Sequence, residues 1–272
     1  MTTYNAQRLQ QHLSSLGARQ WRIEVHDAID STSSELMRRI RAQGHSARGG
    51  DVLLARIQTQ GRGRQGRAWH SADPESLYIS VSLDIAGDTA QLLPLVPLCA
   101  GVAAAEAFRA CRVADVRLKW PNDLMLRGKK FGGILCEAPH FQPDRVVACV
   151  GMGINFGRAA LPDALADIAT NAAALEAPSI SRERFAAHWL HRLDHWTTVA
   201  AARGPHEIVA AWRGFGEPFG RRVRVDGQHG TTVDLTPQGQ LLLQTDGGEI
   251  VSLAGGILEY DDDGGACDDP HS

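Results

Sequence analysis

The chain has 272 residues, 43% hydrophobic and 22% charged, enough for one large domain with a small one beside it. A formal net charge of −3 argues against a broad nucleic-acid-binding face. The five cysteines, Cys99, Cys111, Cys136, Cys149 and Cys267, are odd in number and lack a C-x-x-C pair, so reduced thiols in the cytoplasm fit better than a disulfide framework. The most apolar stretch, residues 92–108, contains Pro94 and Pro97 and is short for a membrane span. The N-terminus lacks the basic start and apolar run of a secretion signal, so a soluble, cytoplasmic chain is expected.

Residues 1–20 read as a short surface helix with Leu9, Leu13 and Leu16 on one stripe. Hydroxyls at the start and Gly44 at the end predict a capped helix over residues 31–44. Residues 51–58 form an apolar-rich strand candidate, and Leu77, Ile79, Val81 and Leu83 alternate with polar residues as in a half-buried strand. Residues 91–111 are Ala-rich and helical after the prolines. Four β-like runs follow at 116–120, 123–126, 131–138 and 145–156, with a hairpin turn at residues 127–129. Residues 181–202 and 205–213 are helical. From Phe219 short strands and tight turns predict a small β-barrel of about SH3 size, and the acidic tail 261–272 has nothing apolar to bury and reads as disordered.

The segment Gly61-Arg62-Gly63-Arg64-Gln65-Gly66-Arg67 contains the spacing G-x-G-x-x-G. A dinucleotide fingerprint needs a helix to follow, and the next element here is a strand, so that reading is set aside. Three arginines and three glycines without an acid instead suit a flexible cationic loop that wraps an anion. Lys119-Trp120-Pro121-Asn122-Asp123 ends a strand, where proline turns the chain out of the sheet. Lys129-Lys130-Phe131-Gly132-Gly133-Ile134-Leu135 adds two lysines and glycines that permit close backbone approach. His188, His191 and His195 share a helix face, but Phe185, Trp189, Leu193 and Trp196 form the face to bury, so solvated histidines are expected rather than a metal site.

Together with Asp30-Ser31-Thr32-Ser33-Ser34, Gln58-Thr59-Gln60 and Gly151-Met152-Gly153-Ile154-Asn155, these segments resemble the biotin protein ligase family over about residues 25–260. Ser33 stands where many members have Asn. The resemblance implies an α+β fold: a catalytic domain like class II aminoacyl-tRNA synthetases over residues 25–215, with a mixed β-sheet, and an SH3-like domain over 216–260. Residues 1–24 are then an N-terminal extension. About twenty residues are too few for a helix-turn-helix repressor domain, which implies the monofunctional type, with no DNA and no membrane as partners.

Carried over position by position, Ser31, Thr32, Ser33, Gln58, Arg62, Gly63, Arg64, Lys130 and Gly133 would contact biotin. Arg62, Arg64, Arg67, Trp69, Lys119, Asn122, Lys130 and Asn155 would hold ATP or the adenylate. Lys130, Arg64 and Asp123 would be catalytic, with Asp123 orienting or deprotonating the acceptor amine. The implied reaction joins biotin and ATP into biotinyl-5′-AMP and then acylates a lysine of a biotin carboxyl carrier protein, with Mg2+ brought by the nucleotide rather than held in a protein metal site. A weak homodimer stays open. Two rivals remain: a lipoate or octanoate ligase, whose family uses a different glycine-rich signature, and a nucleic-acid-binding module, which lacks its stripe of exposed cations and aromatics here.

Overall fold

The structure, a computed structural model, describes residues 4–71, 73–113, 115–139, 142–157, 159, 161–165, 167–171 and 180–261. Residues 262–272, which include Cys267 and all of the acidic tail after Asp261, lie outside the described residues. The chain divides between Glu217 and Pro218 into two compact units.

The first unit contains α1 (Ala6–Ser15), β1 (Arg22–Ile29), α2 (Thr32–Gln43), β2 (Asp51–Gln58), β3 (Leu77–Ala86), α3 (Thr89–Leu92), α4 (Val96–Ala110), β4 (Val116–Lys119), β5 (Asp123–Leu126), β6 (Lys129–Glu137), β7 (Arg145–Ile154), α5 (Arg182–Arg203) and α6 (His206–Phe215). Its strands form one mixed sheet in the order β1-β2-β3-β7-β6-β5-β4. Only β1 and β2 run parallel; each remaining neighbour pair is antiparallel.

The α2 boundaries follow from its caps. Ser31 Oγ accepts from Ser34 N, and Gly44 leaves the helix at φ +54°. Leu36, Met37 and Ile40 bury against Leu53, Val147 and Cys149, which puts α2 on one sheet face. On the other face α4 is buried nearly throughout and packs on α5. There Phe108 meets Phe131, Phe156 and Phe185 at ring-centroid distances of 5.2, 5.8 and 4.4 Å. The helical run Thr89–Ala110 is longer than the sequence pattern suggested, and by length and composition alone it could cross a membrane. Its burial beneath α5 makes it a core element of this unit. Phe185, Trp189 and Leu193 are fully buried on α5, while His195 is exposed and His188 half-buried.

Two features differ from the sequence reading. β1 carries no predicted strand signal, because this edge strand has intermediate and exposed positions without clean alternation. β3, expected to be half-buried, has both faces covered over most of its length, with Ser80 and Ser82 at 0% exposure. The stripe on α1 is real for Leu9 and Leu13, which are buried, and this helix packs on α5 within the first unit.

The second unit is a five-stranded antiparallel sheet of β8 (Arg222–Val225), β9 (Gln228–Leu235), β10 (Leu241–Thr245), β11 (Ile250–Leu253) and β12 (Leu258–Tyr260), in the order β11-β10-β9-β8-β12. Asp226 and Gly227, at φ +47° and +88°, form the two-residue turn between β8 and β9. Val223, Val225, Leu235, Leu241, Leu243 and Leu258 fill its core.

Candidate active site

One face of the central sheet collects residues of both predicted groups, with Arg67 outside them. At the N-terminus of α2 a chain of polar groups is fully committed. The Gln58 side-chain oxygen accepts from Thr32 N at 2.8 Å and from Thr32 Oγ1 at 3.1 Å. Thr32 Oγ1 lies 2.8 Å from Ser80 Oγ, which lies 2.9 Å from Ser33 Oγ. Because the amide oxygen can only accept, Thr32 donates to it, Ser80 donates to Thr32 and Ser33 donates to Ser80. Proton direction is thereby fixed, and lone pairs on Ser33 Oγ remain as the acceptor end. Ser31, Thr32, Ser33 and Ser80 are all buried. The Gln58 amide nitrogen donates to Ser71 Oγ at 2.9 Å, tying this cluster to the far end of the glycine-arginine loop.

A β-bulge shapes the cationic end. Leu124 pairs with Gly132 and Met125 with Lys130, so Phe131 is an extra residue on β6. Phe131 packs in the aromatic core and a Cβ on Gly132 would meet Leu124, so both point to that side. The bulge turns Lys130 back to the face of Gly133, whose Cβ would sit 3.4 Å from Lys130 Cε. Lys130 Nζ is 2.5 Å from Asp123 Oδ1, with the two side chains 34% and 19% exposed. Asp123 is in register with Gly133 on one side and Lys119 on the other, which brings Lys119 to the same face. Asn122 donates to Ile134 O at 2.8 Å and accepts from Arg64 Nη1 at 2.9 Å. Asn155 donates through its backbone to Phe131 O and through its side chain to Thr170 O, while Ile168 O and Thr170 N bond the backbone of Lys130.

Residues 61–69, expected as a flexible cationic segment, take a hairpin form between β2 and β3. Gly63 N donates to Arg67 O, Trp69 N donates to Gly61 O, and Arg62 bridges Ala68, making a small hairpin. Its tip turns through Gln65 and Gly66 at φ +53° and +73°. Contacts distant in sequence supply the order: Arg62 binds Glu137, Arg64 binds Asn122, and Trp69 lies on the sheet. Gly133 and Gly153 are register partners, and a Cβ on Gly153 would come 2.5 Å from Trp69 Nε1. Only a residue without a side chain admits the indole there. Trp69 is centred 5.7 Å from Lys130 Nζ. Arg67 sits exposed on the return arm, away from the cluster's buried contacts.

Sequence reasoning missed Ser80 and Glu137. Ser80 has a signal, since serines recur on an otherwise apolar strand, but the same alternation fits a solvent face. Glu137 has none, because its partner is 75 residues away. The described residues contain no group of three or more His, Cys, Asp or Glu arranged for a metal ion.

A family model described as the biotin/lipoate A/B protein ligase family matches residues 26–155. The chain is 32% identical over 247 residues to the biotin–[acetyl-CoA-carboxylase] ligase of Mycobacterium tuberculosis, covering 88% of this chain and 89% of that one. It is 32% identical over 234 residues to the bifunctional ligase/repressor BirA of Bacillus spizizenii, covering 83% and 69%. Among solved structures, the biotin protein ligase from Aquifex aeolicus in complex with biotin and ATP aligns with a TM-score of 0.72 at 26% identity, over 88% of this chain and 99% of that one. The mixed sheet and the small C-terminal β unit agree with that solved structure, and the chain, by its identity to the ligase relatives over most of their length, belongs to the biotin protein ligase family.

Proposed function

We propose that the protein is an ATP-dependent biotin protein ligase whose site has a neutral recognition end and a cationic activation end. The observation that carries this reading is their placement on one sheet face: Thr32, Ser33, Ser80 and Gln58 at one end, Lys119, Lys130 and Arg64 at the other. A chain of buried hydroxyls ending in an acceptor suits the N–H groups of the biotin ureido ring. A dithiolane or an alkyl tail would offer it nothing to bond, which disfavours lipoate and octanoate.

The biotin carboxylate attacks the α-phosphorus of ATP, forming an acyl–phosphate bond and expelling pyrophosphate. A lysine amine of a biotin carboxyl carrier protein then attacks the acyl carbon, and AMP leaves. In the first step two anions meet, and Lys130, Lys119 and Arg64 offset their repulsion and the charge developing on the phosphoryl oxygens. Asp123, the counter-ion of Lys130, takes the proton of the incoming amine once Lys130 turns to the phosphate. Mg2+ is carried by the triphosphate, since Asp123 is committed to Lys130 and Glu137 to Arg62. A cytoplasmic setting fits the free thiols of Cys99, Cys111, Cys136 and Cys149, the cysteines among the described residues.

The test is exchange of labelled pyrophosphate into ATP without any acceptor, expected with biotin. Exchange with lipoate or octanoate and none with biotin would reverse the assignment. Ser80→Ala is expected to raise the biotin KM about tenfold, about 1.4 kcal/mol, because two buried hydroxyls lose their shared partner. The ATP KM should stay unchanged; an equal rise in both would remove Ser80 from the recognition end.

A further inference from the structure

The loop over the site is also fastened by a carboxylate, Glu137, to which the chemistry described above gives no role. Arg62 Nη1 and Nη2 contact Glu137 Oε2 and Oε1 at 3.0 and 2.6 Å, a two-point, planar ion pair. The side chains are 40% and 24% exposed, so water screens the pair only in part. Glu137 ends β6 in register with Cys149, and strand alternation puts it on the face of Gly133 and Leu135. β6 therefore carries Lys130 near one end and the loop's anchor at the other, about 20 Å apart at ordinary strand rise. Arg64 and Trp69 contact the sheet at the cationic end, where phosphates would compete with them. Glu137 lies too far along β6 from Lys130 to meet a phosphate bound there.

Resting on the ligase reading, we infer that Glu137 is a positioning residue that clamps the glycine-arginine loop through Arg62 and so slows escape of the acyl-adenylate. Losing one member of such a pair acts on the dissociation rate more than on the chemical step.

The experiment compares wild type, E137Q, E137A, E137D, R62A and the double variant R62A/E137A. It reads stopped-flow release of biotinyl-5′-AMP, biotin labelling of an unrelated bystander protein, pyrophosphate-exchange kcat and KM, and melting temperature. E137Q and E137A are expected to release adenylate about tenfold faster and to label the bystander. Their exchange kcat should fall much less than release rises, E137D should recover part of the retention, and the double variant should release no faster than R62A. Wild-type release in both E137Q and E137A, or effects of R62A and E137A that multiply, would overturn the inference while the ligase reading stands. A proportionate loss of every activity together with a large drop in melting temperature would show Glu137 to be merely structural and also overturn it. Absence of biotin-dependent exchange in the wild type would overturn the ligase reading and this inference together.

Discussion

Lys130→Ala is expected to slow adenylate formation by about 100–1000-fold, about 2.7–4 kcal/mol, the usual loss when one preorganised donor to a developing oxyanion is removed. Transfer from preformed biotinyl-5′-AMP should fall far less, because the charge that Lys130 offsets is greatest while carboxylate and phosphate are being joined. A second cause follows from the ion pair at 2.5 Å. Without its lysine, Asp123 remains on the same face as an unpaired carboxylate and repels the incoming anions. Lys130→Ala combined with Asp123→Asn should therefore recover part of the exchange rate lost by Lys130→Ala alone, although transfer would then lack its base. The two half-reactions are separated by pyrophosphate exchange and by single-turnover transfer from purified adenylate. Equal losses in both halves would reduce Lys130 to a binding contact.

That lysine also shows how far the sequence could be read. The motif around residues 129–135 identified Lys130 and Gly133 as site residues, but strict alternation would separate them, with odd and even positions on opposite faces. The extra residue Phe131 reconciles them, and only the pairing with β5 reveals it. Elements closed by local chemistry were legible: Ser31 and Gly44 bound α2, and Arg127 and Gly128, both with positive φ, make the turn before β6. Elements that depend on distant partners were not. β1 becomes a strand by pairing with β2 at the sheet edge, not by its own pattern. The polar side of β3 has the pattern of a solvent face, and nothing local announces that α2 and the hydroxyl chain cover it. The contacts of the loop are not legible locally for the same reason, since Glu137, Asn122 and Gly153, which hold it, lie 58 or more residues away along the chain.

Arg64→Gly is expected to leave an enzyme that still makes biotinyl-5′-AMP but loses it early. The hairpin tip has little of its own to hold it: Gln65 and Gly66 are exposed, and both carry left-handed backbone. Arg64 joins this tip to the sheet through Asn122, which is itself fixed by Ile134, whose carbonyl accepts from the Asn122 side chain and whose N–H donates to Asn122 O. Glycine removes that bond and any guanidinium contact with the phosphate, and it adds backbone freedom that closure must then overcome. A loss of about 2–3 kcal/mol in retention corresponds to release about 30–150 times faster, at about 1.4 kcal/mol per tenfold. Adenylation should survive better than retention, because Lys130 and Lys119 lie on strands and keep their places without the loop. The released mixed anhydride acylates any accessible amine, so the signature is biotin on surface lysines of an unrelated bystander protein. Stopped-flow release and a streptavidin blot of that bystander measure the two consequences together. Should release stay as slow as in the wild type and the bystander remain unlabelled while adenylation persists, Arg64 does not retain the intermediate, and the tie through Asn122 is structural only.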